Sequence, residues 1–219
     1  MISTRDVSGM PDIRSLRRLT RVLAMLDAIL SPEWEGRYYS FDAHWARGEL
    51  MASMRNGQGD GWFALFTAGG VVLHGLDHEA AMYRPDDPWP GIFDALPLEL
   101  AGFIGEPAFD TRDSTFCIWR GVADASWQHG PVRFPAGDDP DGSAGLLGIL
   151  DGRPESYRAW AADYYGVPVP LAAVAAVYRH EPLTPGLVRQ LNADVSLDEL
   201  RDDIAEIGFP EGGVAEGGS

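Results

Sequence analysis

A chain of 219 residues, 45% apolar and carrying a net charge of −16, is long enough for one generous domain or two small ones and can bury a sizeable core. It contains no apolar run near the ~18 residues of a membrane-spanning helix, and no signal-peptide stretch at its start, so a cytoplasmic location is expected. The single cysteine, Cys117, excludes an intrachain disulfide and any zinc site built on several cysteines. All 17 basic residues are arginine. Without lysine, a P-loop ATPase, a protein kinase and a pyridoxal enzyme each lack a group that their usual chemistry requires.

The charge is unevenly placed. Residues 1–21 hold five arginines against Asp6 and Asp12, a balance of +3, which leaves −19 on the rest. Such a field disfavours nucleic acid and anionic membranes and favours a basic partner; acidity also serves solubility alone.

After a flexible N-terminus over 1–10, the first predicted element is a helix over about 12–30. Ile13, Leu16, Leu19, Leu23, Leu26 and Leu30 recur at three- and four-residue steps and form one apolar stripe. Arg14, Arg17, Arg18 and Arg21 crowd the end of this helix where its dipole disfavours cations, which predicts acidic neighbours. The acid-rich final helix and tail are the expected source. From 37 to 77 the period changes to short β runs at 37–43, 50–55, 62–67 and 71–76, separated by glycine-rich turns. Short connections imply an antiparallel meander. A further strand is expected over 115–120, with Cys117 and Trp119 on one face. A short helix is read at 97–104. Beyond a loop at 137–142, helices are expected at 143–150, 154–165, 170–180, 185–191 and 196–207. The last opens on a capping box, Ser196 with Glu199, and a staple of Val195 on Leu200. Residues 210–219 read as a disordered tail. The predicted architecture is a single α+β domain over 11–209. An antiparallel meander packed by the N-terminal helix (about 11–136) precedes a mostly helical C-terminal lobe (about 143–209).

The densest cluster of potential ligands is His74-Gly75-Leu76-Asp77-His78-Glu79. On a strand His74 and His78 share a face but lie about 13 Å apart at ~3.3 Å per residue, too far for one metal ion. A polar pair at a strand end is therefore expected in place of a metal centre, with His74, His78 and Glu79 the nearest approach to one. Gly57-Gln58-Gly59-Asp60-Gly61 superficially resembles a phosphate loop, but a β run follows it, so a hairpin loop is the reading. Asp138-Asp139-Pro140-Asp141-Gly142-Ser143 has a calcium-loop composition without an EF-hand's ligand spacing; Asp141 or Ser143 capping the next helix is simpler. Cys117, flanked by bulky apolar residues, reads as buried and inert. The seven tryptophans read mainly as core and loop anchors.

The strings Met51–Gly57, Gly75–Glu79, Phe116–Arg120 and Asp139–Ser143 together resemble a family of bacterial hypothetical proteins, over a span from about Trp34 to Gly208. That resemblance implies a bacterial cytoplasmic protein and assigns no catalytic residue. In size and acidity the chain is also similar to immunity proteins of bacterial toxin systems. The expected function is binding of a basic protein partner, with Asp60, Asp77, His78, Glu79, Asp138, Asp139 and Asp141 as candidate binding residues. No cofactor, nucleic acid or membrane is expected. The alternative is a metal-dependent enzyme centred on His74, His78 and Glu79.

Overall fold

A computed structural model describes residues 1–210 of the chain. Helix α1 spans Ile13–Leu30, and the Asp12 carboxylate caps it by accepting from the Ser15 N–H at 2.9 Å. Leu16, Leu23 and Leu26 from its apolar stripe, with Ile29 next to it, are wholly buried against the sheet and the later helices. The opening residues are not left loose: Ile2 and Met10 join the core, and the Thr4 N–H donates to Ser143 Oγ at 2.9 Å.

Six strands form one sheet in sequence order, every neighbouring pair antiparallel. They are β1 (Tyr39–Ala46), β2 (Glu49–Arg55), β3 (Gly61–Phe66), β4 (Gly70–Leu76), β5 (Phe116–Gly121) and β6 (Gln128–His129). The predicted meander, the 115–120 strand and its Cys117–Trp119 face are all present. The two-residue edge strand β6 was not foreseen, being too short to display a period of two.

Both faces of the sheet are covered, which explains why β3, β4 and β5 read as nearly continuous apolar runs. Ala64, Phe66, Leu73 and Ile118 point toward α1 and the C-terminal helices. Leu65, Val72, Cys117 and Trp119 point the other way, onto a layer contributed by the long β4–β5 connection, including Met82, Ile92, Leu100, Phe103 and Phe109. That connection is mostly turns and short 3-10 segments, at Leu98–Gly105, Pro107–Phe109 and Thr111–Asp113. Its proline-rich start disguises a packing layer as a loop.

Beyond residue 142 the named elements are all helical: α2 (Ser143–Leu147), a 3-10 turn (Gly148–Asp151), α3 (Pro154–Tyr164), α4 (Leu171–Tyr178), α5 (Pro185–Leu191) and α6 (Arg201–Ile207). The Ser196–Glu199 capping box forms, with the Ser196 N–H donating to the Glu199 carboxylate at 2.8 Å. It closes a turn, however, and α6 itself starts only at Arg201. The predicted tail beyond residue 210 lies outside the described residues.

The α1 arginines do not meet the acids of α6, although the two helices are in contact. Arg18 donates instead to the Arg179 carbonyl at the C-terminal end of α4, where the helix dipole favours a cation. Arg21 lies over the Phe41 ring, 4.9 Å from its centroid. Asp203 of α6 pairs with Arg37, and Asp198, in the turn ahead of α6, pairs with Arg201. Burial of Ile204 and Ile207 docks α6, at ~1.5–3 kcal/mol per side chain, against well under ~1 kcal/mol for the exposed Arg201–Asp198 pair.

Candidate functional site

The candidate residues gather where β3 begins and β4 ends. In the β2–β3 loop, Asn56 Oδ1 accepts from the Gln58 and Asp60 N–H groups, and its amide donates to Asp60 Oδ2 at 2.6 Å. The other Asp60 oxygen accepts from the His78 N–H at 2.9 Å and bonds the His78 ring. Asp60 therefore ties the hairpin loop to the turn after β4. Burial works to raise its pKa, but the hydrogen bonds from His78 and Asn56 outweigh that and hold it below the usual carboxylate range. The same contact raises the pKa of the exposed His78.

The turn after β4 and the 138–142 loop lie against each other. The Asp77 N–H donates to Thr115 Oγ1 at 3.1 Å, the Thr115 hydroxyl donates to the Asp141 carbonyl at 2.7 Å, and the Met82 N–H donates to the Pro140 carbonyl at 2.9 Å. Asp77 Oδ1 accepts from the Glu79 N–H. Asp141, as expected, takes the first N–H of α2, that of Ser143, and Asp139 shares the capping by accepting from the Ala144 and Gly145 N–H groups at 3.0 and 2.9 Å. Asp141 is buried and accepts from the Ser143 N–H and hydroxyl; burial raises its pKa against those bonds. Among the seven candidates, then, Asp60, Asp139 and Asp141 are committed to internal bonds. Glu79 and Asp138 are exposed, with Asp77 half-buried beside them. The Asp138 carbonyl, not its carboxylate, holds Arg5.

Gly142 makes the contact between the two loops possible. Its φ is +74°, and a Cβ there would fall 2.3 Å from Asp77 Cβ. Gly142→Ala should lower stability by roughly 2 kcal/mol or more through strain and displacement of the Asp77 turn. Gly148 has helical φ and open space around it, so Gly148→Ala should be neutral or stabilising by up to ~1 kcal/mol. Thermal unfolding of the two variants measures the contrast.

His74 departs from its expected place on a polar surface. It is 4% exposed, in the middle of β4, with Phe63 and Cys117 as its cross-strand neighbours. Nδ1 bonds Ser114 Oγ at 2.9 Å, and Phe63, Phe103 and Phe109 surround the ring at centroid distances of 5.3–6.0 Å. Burial pushes its pKa down to about 3, so the ring is neutral at ordinary pH. A sheet covered on both faces buries even a polar strand residue, which a one-sided reading of the strand misses. His74 and His78 consequently do not converge, and no group of three or more His, Cys, Asp or Glu side chains able to hold a metal ion occurs among the described residues.

A cavity of about 430 Å³ opens at this end of the sheet. His74 and Phe63 line it from the sheet, Ser114, Phe109 and Asp110 from the β4–β5 connection, and Arg55 and Asp60 from the two sides of the β2–β3 loop. Cys117 is buried, and its thiol pKa is raised by that burial.

A second polar centre lies inside the core. Asp27 of α1 is fully buried; Oδ2 accepts from the Tyr38 and Tyr39 N–H groups at 2.9 and 2.8 Å, and Oδ1 accepts from the Tyr157 hydroxyl at 2.7 Å. Burial raises its pKa to about 6 in spite of these bonds. The carboxylate thus joins α1, the start of β1 and α3, and the rings of Tyr38, Trp160 and Tyr164 pack around the junction.

Comparison of the chain with protein-family models, curated proteins and solved structures finds no match.

Proposed function

We propose that this is a binding protein that docks a basic protein partner at the β3–β4 end of the sheet. The observation that carries the reading is the convergence of two turns distant in sequence, 77–79 and 138–141, which puts Asp77, Glu79 and Asp138 on one rim within a chain of net charge −16. Internal hydrogen bonds hold the rim rigid through Asp60 and Asp139, so its outward carboxylates are pre-oriented for a cationic surface. Masking a basic protein in the manner of an immunity protein is the version of this reading that size and acidity favour.

The test compares two charge-matched variants. Glu79→Gln/Asp138→Asn should slow association with an immobilised oligo-arginine peptide at least fivefold at low salt, with the difference fading as ionic strength rises. Asp194→Asn/Asp202→Asn removes the same charge from two exposed positions outside the two rim turns and should leave the rate within twofold of wild type. Equal slowing by both pairs would mean that the overall field, and not this rim, attracts the peptide.

A further inference from the structure

Two opposite charges line the cavity at the β3–β4 end of the sheet without meeting each other. Arg55, Gly61 and Leu76 are partners across β2, β3 and β4, and this register puts Arg55 and Leu76 on the face that carries Phe63 and His74. The β4–β5 connection covers that face, and Phe109 and Asp110 of the connection reach the same cavity.

The Arg55 guanidinium lies over the Trp34 ring, 5.0 Å from its centroid, and has no ion-pair or hydrogen-bond partner among the described residues. A ring beneath a cation satisfies none of its N–H donors, which stay available to a carboxylate in the paired-bond geometry that a guanidinium favours. Asp110 is exposed at the turn between the 3-10 segments Pro107–Phe109 and Thr111–Asp113. Arg112 lies 3.8 Å from it but closer to Asp86, at 3.2 Å, and all three side chains are exposed, so this contact holds Asp110 weakly. Asp60, the third charge on the lining, is already held by His78 and Asn56. One cation and one anion therefore remain uncompensated at the cavity.

The rest of the lining includes an apolar wall in which the Phe63 and Phe109 rings have centroids 5.2 Å apart. The volume of about 430 Å³ lies within the range of roughly 300–1,000 Å³ usual for small-molecule sites. A purely cationic ligand would meet Arg55, and a purely anionic one Asp110. A zwitterion with an apolar side chain answers both charges and the wall.

We infer that this cavity binds a free α-amino acid with an aromatic or branched apolar side chain, its carboxylate on Arg55, its ammonium on Asp110 and its side chain against Phe63 and Phe109. The inference does not rest on protein docking at the rim: Arg55 and Asp110 lie outside the two rim turns, and the oligo-arginine comparison tests the rim by itself. Asp60 braces both places.

Isothermal titration compares L-phenylalanine with L-phenylalaninamide, which lacks the carboxylate, and with N-acetyl-L-phenylalanine, which lacks the ammonium. Wild-type protein should bind the free amino acid at least tenfold more tightly than either derivative. Arg55→Gln should weaken binding of L-phenylalanine at least fivefold and leave that of the amide within twofold. Asp110→Asn should weaken L-phenylalanine likewise and leave the N-acetyl compound within twofold. Both positions are exposed, and melting temperatures confirm that the variants are folded. No binding of L-phenylalanine at millimolar concentration, or an equal loss for every compound in either folded variant, would overturn the inference. Tighter binding of the amide than of the free amino acid would overturn it too, by making the cavity a cation site.

Discussion

Asp27→Ala should destabilise the protein on the order of 4 kcal/mol, a loss well beyond that of an average substitution. Alanine removes the acceptor from three buried donors at once, the Tyr38 and Tyr39 N–H groups and the Tyr157 hydroxyl. Each orphaned donor costs ~1–3 kcal/mol unless water reaches it. The rings of Tyr38, Tyr39 and Trp160 pack at this junction of α1, β1 and α3, and the Tyr165 hydroxyl beside Asp27 is one acceptor for three donors. Asp27→Asn should cost less than half as much. Its carbonyl oxygen still serves the two backbone donors, and its amide can donate to the Tyr157 oxygen. Urea unfolding of both variants measures the difference, and an alanine variant within 1 kcal/mol of wild type would sink this account of the junction.

The second large effect is on pH dependence, where two buried groups act with opposite sign. Asp27 has its pKa raised from 3.8 to about 6 in the folded state, so between those values the folded protein holds the extra proton. Its contribution favours folding at low pH and is lost as pH rises through about 6. His74 has its pKa lowered from 6.5 to about 3, so between those values the unfolded chain holds the extra proton. Its contribution is intact above 6.5 and is lost as pH falls. Acidifying from pH 7 to pH 4 should therefore add roughly 2 kcal/mol through Asp27 and remove roughly 3 kcal/mol through His74. The two nearly cancel in the wild type. Removing either exposes the other: Asp27→Asn should become distinctly acid-labile relative to wild type, and His74→Phe should gain stability toward pH 4 relative to wild type. Melting temperatures of the three proteins from pH 4 to pH 7 check both slopes. Parallel curves would show that neither group titrates as its burial requires.

The fold was legible where periodicity is unambiguous. The stripe from Ile13 to Leu30, the glycine-punctuated runs of β2 to β4 and the return of helical patterning after residue 142 each correspond to an element in the structure. Boundaries moved where local chemistry competed. Ser196 and Glu199 do form their capping box, yet the helix begins at Arg201, because the box closes a separate turn ahead of it. The second covering layer was hidden, since prolines and short 3-10 segments have no period to detect. Its trace was nonetheless present in Val71-Val72-Leu73-His74, a run without alternation that only a strand buried on both faces requires.

The site was legible in part. Pattern and composition drew attention to the 74–79 and 138–143 segments, and the structure brings their turns together. Which carboxylates are free for a partner could not be read, because that depends on donors remote in sequence, such as Asn56 for Asp60 and the α2 amides for Asp139. Asp27 had a visible signal that composition alone ignores: it is the one charge in Val22-Leu23-Ala24-Met25-Leu26-Asp27-Ala28-Ile29-Leu30. A lone carboxylate inside such a run must find donors within the core. Ser114, Phe109 and Asp110 carried no comparable mark, as they reach the cavity only through the path of the β4–β5 connection.

The order of strands along the sheet also sets an order in time. β1 to β4 pair with chain neighbours across short turns, contacts that cost little loop entropy and form quickly. β5 can pair with β4 only when the whole 77–115 connection is drawn in, a closure that costs more loop entropy than any of the turns joining β1 to β4. During synthesis the four-stranded ribbon can shelter under α1 before Phe109 and Ser114 have any surface to rest on. The wall of the cavity therefore rests on the longest-range pairing between neighbouring strands of the sheet.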